Sequence, residues 1–141
     1  MSKISVPPSL RQRVAEKFNH RCCYCQSQEE IAGMQFTMDH VIPDSLGGET
    51  VEENLCLACW DCNLAKQKRI AASDPETEEI VALFHPNQQN WEDHFAWDSS
   101  HVLMIGLTST GRATVSALHL NRPLLMRARE RWVSAGWHPP K

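Results

Sequence analysis

The chain carries CCYC at residues 22–25 and CWDC at residues 59–62, which gives two C-x-x-C pairs in one short stretch. Two residues between cysteines let both sulfurs of a tight turn face one ion, and two such turns complete a tetrahedral zinc site. Because four thiolates leave no open coordination position, the predicted zinc is structural, and its binding adds to the free energy of folding. The predicted ligands are Cys22, Cys25, Cys59 and Cys62.

Two further cysteines lie close to these pairs. Cys23 could replace Cys22 by forming a C-x-C pair with Cys25, but that spacing is less usual, so we assign Cys22. Cys56 lies between two leucines, which predicts a small buried side chain. A redox C-x-x-C is the alternative for either pair, although neither pair lies in a βαβ pattern.

Length and composition bound the class of protein. The chain has 141 residues, 42% hydrophobic and 22% charged, which is typical of one compact domain with a small appendage. Its net charge of -3 excludes a general polyanion-coating protein. The charge is uneven, because residues 26–98 carry 15 acids against three cations, whereas both ends of the chain are basic. The net charge therefore does not exclude a local basic face.

The N-terminal stretch MSKISVPP has no apolar segment of the kind found in signal peptides. No run approaches 18 consecutive apolar residues, so we expect no membrane association. Both points predict a cytoplasmic protein whose cysteines stay reduced and available for metal. The sequence does not indicate an oligomeric state.

The expected fold class is α+β, with a first domain over residues 1–70. Ser9 can cap a helix over residues 10–19, which has Leu10, Val14 and Phe18 on one face. The remaining predicted elements of this domain are strands at 35–38 and 41–42, a loop at 44–50, and a short helix from about 60 to 70 that ends in basic residues.

Residues 71–141 form an expected C-terminal extension, packed on the first domain. Asp74 with Pro75 predicts the start of a helix, and Thr108 and Asn121 are expected caps of two more, the last reaching Ala135 with Gly136 as its stop. A Trp-rich hairpin is expected between residues 91–97 and 102–107, turning at 98–100.

The aromatic, arginine and histidine residues of this extension have ordinary structural explanations. Tryptophans could form a surface that stacks on DNA, but core packing is the commoner use. Arginines of the last helices could extend a DNA-binding face or lie in solvent. The histidines show no pairing typical of a second metal site. The aromatic residues concerned are Trp91, Phe95, Trp97, Trp132 and Trp137.

Polar residues between the cysteine pairs are the candidates for catalysis. Asp39 can supply an oxygen ligand for a hard cation, and His40 next to it can act as a base near neutral pH. Asn63, directly after Cys62, can supply a second oxygen ligand. Asn54 could hold a loop or orient the imidazole through a hydrogen bond.

The order of these motifs is more specific than any one of them. After the first C-x-x-C come DHVIP at residues 39–43, GG at 47–48, NLCLAC at 54–59 and CNLAK at 62–66. In this order residues 14–70 resemble the HNH endonuclease family. The resemblance implies a ββα-metal fold, in which a two-stranded hairpin and a helix hold one divalent ion, and a structural zinc site made by two C-x-x-C pairs.

The resemblance also implies roles for single residues. Asp39 and Asn63 match the two metal ligands, His40 the general base and Asn54 the central asparagine of the motif. Lys66 matches the basic residue that usually follows. The departures are Cys23, which is an extra cysteine, and Asn63, where a histidine would complete the pattern. Asparagine is common there, so activity is still expected.

The implied activity is metal-dependent hydrolysis of phosphodiester bonds in DNA, double-stranded in the first instance, with Mg²⁺ or Mn²⁺ as the catalytic ion. Water activated by His40 would attack phosphorus in line and leave 5′-phosphate and 3′-hydroxyl ends. A non-catalytic zinc module that binds nucleic acid or protein, and a nuclease acting on RNA, are the alternatives. The expected contacts to backbone phosphates are Arg21, Lys66, Lys68 and Arg69.

Overall fold

A computed structural model describes residues 5–141 of the chain, which divide into two compact units. The first comprises residues 5–70 together with 85–88, and the second comprises 71–84 and 89–141. Residues 1–4, part of the stretch examined for a signal peptide, lie outside the described residues. No helix in the described part is long and apolar enough to cross a membrane.

A two-stranded antiparallel hairpin is the centre of the first unit. Strand β1 (Thr37–His40) pairs with β2 (Leu55–Ala58), with Thr37 opposite Ala58 and Asp39 opposite Cys56. Because side chains alternate along a strand, Thr37 and Asp39 lie on the same face of β1. The sequence predicted one strand before Asp39 and another after His40, whereas in the structure a single strand contains both residues.

Helices α1 (Pro8–Lys17) and α2 (Glu29–Ala32) precede this hairpin in the chain, and two 3₁₀ turns, Asp44–Leu46 and Glu52–Asn54, lie between its strands. Helix α1 packs on β2 and buries Val14. It begins two residues before the expected start, because proline suits the first helical position and Ser9 lies inside the helix.

Helix α3 (Trp60–Lys66) follows β2 directly and packs against β1. Its short length leaves Lys68 and Arg69 beyond its end, whereas the expected helix reached residue 70. A separate short segment, residues 85–88, also belongs to the first unit. Within it the Asn87 amide donates to the carbonyl of Leu55 at 2.9 Å, and its oxygen accepts from the Lys17 ammonium at 2.7 Å.

The second unit begins with a hairpin where the sequence predicted a helix. Strand β3 (Ala71–Ser73) pairs with β4 (Ile80–Ala82). The Asp74 carboxylate accepts from the Glu76 backbone N–H and the Thr77 hydroxyl, and Arg112 binds it through two nitrogens. Asp74 therefore holds a turn rather than a helix start, and this contact from a distant residue overrides the local helix signal.

The rest of the second unit is a further hairpin and three helices. Thr108 caps α5 as expected, accepting from the Gly111 N–H, and Gly136 ends α6 in the left-handed conformation. Asn121 is not a cap, because its amide bonds both backbone groups of Met104. The elements are α4 (Trp91–His94), β5 (Phe95–Trp97), β6 (Met104–Gly106), α5 (Ser109–Ala117) and α6 (Pro123–Ala135).

Aromatic side chains of the second unit pack mainly on one another. Trp91 lies against Phe95 and Trp97, and His138 meets the edge of Trp97 with ring centroids 4.5 Å apart. The buried Arg129 guanidinium lies over the Trp97 ring. These contacts favour the structural use of the tryptophans over a stacking surface, except at Trp137, which is exposed.

Candidate active site and metal centre

Four buried cysteines of the first unit converge on one point. The sulfurs of Cys22, Cys25, Cys59 and Cys62 all lie within 4.8 Å of one another. Hydrogen bonds from the thiols of Cys22 and Cys59 lower the pKa of Cys25, whereas burial raises the pKa of Cys22. Four thiol groups this close can hold one metal ion, and the set is of the kind found in structural zinc sites.

The cluster also fixes the start of helix α3. The sulfur of Cys59 accepts a hydrogen bond from the backbone N–H of Cys62 and so caps the helix. Asn63 comes next in the chain, within the first turn of α3. The position of Asn63 therefore depends on the cysteine cluster.

The other two cysteines form a separate buried pair. The sulfurs of Cys23 and Cys56 lie 2.8 Å apart, and Cys56 is fully buried on β2. The cluster uses Cys22 rather than Cys23, and Cys56 is buried as expected.

Asp39 is a buried carboxylate whose two oxygens have different surroundings. Its Oδ2 accepts from the Tyr24 hydroxyl at 2.8 Å and lies 3.2 Å from the Lys66 ammonium. Burial raises the pKa of Asp39 above its ordinary value, and the nearby Lys66 charge only partly opposes this shift. Within residues 5–141, Oδ1 has no hydrogen-bond partner.

Helix α3 meets the same face of β1 at two places. The side-chain N–H of Asn63 donates to the Thr37 hydroxyl, and one turn later Lys66 pairs with Asp39. Residues three apart on a helix thus meet residues two apart on a strand. This arrangement brings Asp39 and Asn63 to one side of the hairpin.

Lys66 is placed differently from its expected role. Its side chain is 1% exposed, and its ammonium also donates to the carbonyls of Val41 at 3.0 Å and His40 at 3.4 Å. An ammonium enclosed in this way is not available to the phosphates of a nucleic-acid backbone. We therefore correct the expected phosphate contact to an internal bridge between α3 and the end of β1.

His40 is the last residue of β1, and its imidazole is half-buried. Its Nε2 lies 2.9 Å from the Thr50 hydroxyl. In the described residues Nδ1 has no hydrogen-bond partner. One ring nitrogen is thus held by the loop and the other is open.

Asn54 holds the loop that precedes it. Its oxygen accepts from the Ile42 N–H, and its NH₂ group donates to the carbonyls of Ile42 and Glu49, each at 2.9 Å. Both N–H bonds of the amide are therefore used, which leaves none for the imidazole of His40. Of the two functions expected for Asn54, the structure has the loop-holding one.

A comparison with protein families agrees with this geometry. Residues 22–69 match the model of the family described as HNH endonuclease. This stretch is an HNH domain. It covers about a third of the chain and contains the cysteine cluster, the β1–β2 hairpin and α3. The match supports a nuclease-type function. No curated protein and no solved structure matches the chain in the corresponding searches.

The expected basic contacts of the HNH domain differ in their exposure. Lys68 is exposed, and Arg69 is exposed while its guanidinium donates to the carbonyls of Ala65 and Lys66. Arg21 is half-buried, and its backbone bridges to Gln28. Lys68 and Arg69 therefore form an exposed cationic segment just after α3.

Three residues that hold the candidate site residues of the HNH domain were not predicted from the sequence. Tyr24 lies between two zinc-ligand candidates and holds Asp39, Thr37 holds Asn63, and Thr50 holds His40. The only sequence signal for Thr37 was its position two residues before Asp39, on the same face of a strand. No local pattern identifies Thr50, because the loop between β1 and β2 brings it back to His40 from ten residues away.

Proposed function

We propose that the HNH domain is a metal-dependent endonuclease that hydrolyses phosphodiester bonds in double-stranded DNA. The observation that carries the proposal is the pairing of two α3 residues, Asn63 and Lys66, with Thr37 and Asp39 on one face of β1. It supports a site that contains the side-chain oxygens of Asp39 and Asn63 next to His40, which is the last residue of β1. The family match supports the reaction type.

The residues fit a hard divalent cation such as Mg²⁺ or Mn²⁺. Asp39 keeps Oδ1 free while Tyr24 and Lys66 hold Oδ2. Asn63 uses its N–H in the bond to Thr37, so its carbonyl oxygen stays available. Carboxylate and amide oxygens are the ligands that these ions prefer. When bound, the ion would supply Lewis-acid stabilisation of negative charge on the phosphate and the leaving oxygen.

His40 is the proposed general base. It would take a proton from a water molecule, whose oxygen then forms a bond to phosphorus while the bond to the 3′ oxygen breaks. The leaving 3′ oxygen takes a proton from solvent, so the products carry 5′-phosphate and 3′-hydroxyl ends. Tyr24 and Lys66 would keep the Asp39 carboxylate from rotating, and Thr37 would do the same for Asn63.

The exposed cationic segment just after α3 supports a polyanionic substrate. Lys68 and Arg69 are the proposed contacts to backbone phosphates, and Arg21 is a further candidate. Contacts of this kind are independent of base sequence, and they weaken as salt displaces the protein from the phosphates. A reducing compartment such as the cytoplasm would keep the four thiols of the cluster available for zinc.

Cleavage assays with three substrates test the proposal. The zinc-loaded chain is incubated with supercoiled plasmid, single-stranded DNA and RNA, with Mg²⁺, with Mn²⁺, and with chelator at a level that leaves zinc bound. We expect metal-dependent nicking or linearisation of the plasmid. Cleavage of RNA alone would favour the RNA-directed alternative, and binding without cleavage of any substrate would favour the non-catalytic zinc module.

A matched pair of variants tests the base. His40→Asn should abolish cleavage while leaving the zinc content and the unfolding curve unchanged. His101→Asn is the control, because His101 is exposed in a turn of the second unit and its positive φ of 63° suits asparagine. Full cutting by the His40 variant would overturn the assignment of the base.

A further inference from the structure

Helix α3 carries two large apolar side chains that are exposed to solvent. Trp60 is 54% exposed and Leu64 is 69% exposed. Residues four apart on a helix are neighbours on its surface, so the two side chains form one patch, which we call the α3 ridge. Three tryptophans of the second unit, Trp91, Trp97 and Trp132, pack against other rings. The indole of Trp60 has no ring contact and no hydrogen bond with any described residue.

The cysteine cluster holds the α3 ridge in a fixed position. Trp60 directly follows Cys59, and Leu64 comes two residues after Cys62, both of which belong to the cluster. The Cys59 sulfur also caps the helix. A tryptophan on a backbone fixed in this way loses little conformational freedom when it binds another molecule. The α3 ridge is therefore suited to an intermolecular contact.

The α3 ridge also lies beside the candidate metal ligand Asn63. Successive residues of an α-helix are about 100° apart around its axis, which places Trp60 about 60° and Leu64 about 100° from Asn63 on the same side. Lys66, on the other side of Asn63, faces β1. A nucleic-acid chain with a phosphate at Asn63 therefore has an adjoining nucleotide near the α3 ridge.

Charges around the α3 ridge favour a polyanion as its partner. The exposed cationic segment, Lys68 and Arg69, begins four residues after Leu64. Helix α3 contains a single acid, Asp61, and it lies farther from Asn63 around the helix than the α3 ridge does. Apolar side chains next to cations are the combination with which proteins contact the bases and phosphates of one strand.

We propose that the α3 ridge contacts a base next to the scissile phosphate, and that Trp60 stacks on a base whose own stacking is broken. The inference rests on the nucleic-acid substrate of the proposed function, but not on the catalytic roles of Asp39 and His40. An indole stacks on any base, so the contact is independent of sequence. In duplex DNA a side chain reaches the face of a base only where a base step is opened. The preferred substrate class is therefore DNA with a mismatch or an unpaired stretch, in which part of the cost of opening is already absent.

Binding of the full, zinc-loaded chain to labelled DNA, without added Mg²⁺ or Mn²⁺, tests the contact. The probes are a matched duplex, the same duplex with a central mismatch, and one of its single strands. We expect the mismatched duplex to bind more tightly than the matched one. Trp60→Ser should weaken binding to the mismatched duplex and the single strand about tenfold and should make the two duplexes bind equally, whereas Trp60→Phe should keep the wild-type pattern.

Trp137→Ser is the matched control, since Trp137 is 55% exposed in the second unit, and it should bind like the wild-type chain. Salt separates the α3 ridge from the phosphate contacts. A base contact releases no counterions, so Trp60→Ser should lower the affinity by the same factor at each salt concentration, whereas Lys68→Gln should reduce the slope of log affinity against log salt by about one. Unchanged binding in Trp60→Ser, an equal loss in Trp137→Ser, or no binding of any probe by the wild-type chain would overturn the proposal.

Cleavage and sedimentation separate this inference from its rivals. If the wild-type chain cuts plasmid and Trp60→Ser binds and cuts equally well, the nuclease function stands and the base contact is wrong. If binding depends on Trp60 but the chain cuts nothing, the base contact stands and the nuclease function is wrong. If Trp60→Ser converts a dimer into a monomer and leaves DNA binding unchanged, the α3 ridge is an interface between two copies of the chain and the proposal is refuted.

Discussion

The ammonium of Lys66 lies 3.2 Å from the carboxylate of Asp39, and both side chains are almost completely buried, at 1% and 5% exposure. Each charge has lost its hydration, so each depends on the other. Lys66 additionally donates to two carbonyls at the end of β1. One side chain thus holds a candidate metal ligand and joins helix α3 to the strand that carries it.

Removing Lys66 should destabilise the HNH domain strongly. Lys66→Met leaves Asp39 as a buried charge without its cation, and we expect a loss of about 3–5 kcal/mol in the free energy of unfolding. Adding Asp39→Asn should restore part of that loss, since the second change removes the uncompensated charge. Urea unfolding of the zinc-loaded chain measures both. Lys68→Met is the control, and its exposed side chain should matter by less than about 0.5 kcal/mol.

The neighbouring residues Cys22 and Cys23 should differ in their effect on zinc. The wild-type chain should bind one zinc ion, and Cys22→Ser should lose it or bind it weakly because one sulfur of the cluster is gone. Cys23→Ser removes an equally buried sulfur outside the cluster and should keep full zinc content. Elemental analysis after purification measures the stoichiometry. Full zinc in Cys22→Ser together with loss in Cys23→Ser would reverse the ligand assignment.

Asn54 should contribute to stability through the loop. Asn54→Ala removes three hydrogen bonds to backbone groups, and we expect a loss of about 2–3 kcal/mol. Amide exchange should accelerate at Ile42, whose N–H loses its acceptor. Asn90→Ala, at an exposed position, is the control and should leave both measurements unchanged. Slow exchange at Ile42 in the Asn54 variant would show that the loop closes without the amide.

Acid should weaken the second unit through Asp74. Hydrogen bonds from Arg112 lower the pKa of Asp74 to about 2 in the folded chain, whereas an aspartate in an unfolded chain titrates near 3.9. The folded state therefore binds the proton less readily, and this contribution to stability is present above about pH 4 and is lost as pH falls toward 2. Unfolding of wild-type and Asp74→Asn chains across this range should give a difference that shrinks with acid. A difference independent of pH would contradict the assignment.

Local patterns were sufficient where the deciding contacts lie close in sequence. The C-x-x-C spacing identified the four cysteines of the cluster, and Thr108 and Gly136 mark the helix ends they were expected to mark. These signals work because two or three residues determine the geometry.

Contacts between distant residues explain the failures. Asp74 with Pro75 has the chemistry of a helix start, but Arg112 and the strand-forming residues after the turn stabilise a hairpin instead. Lys66 was expected to contact backbone phosphates, and its burial instead follows from a buried aspartate 27 positions earlier in the chain. Thr50 acquires its contact with His40 only when the loop closes. No spacing rule contains such information.

The contact of Asn87 with Leu55 makes the first unit discontinuous along the chain, since residues 71–84 are an insertion within it. Leu55 is the strand partner of His40, so the segment that returns at residue 85 braces the hairpin directly opposite the candidate base. A minimal fragment cut at residue 70 would contain every motif of the HNH match and still lack this brace. We therefore expect a fragment that extends to residue 88 to be more stable than one cut at residue 70.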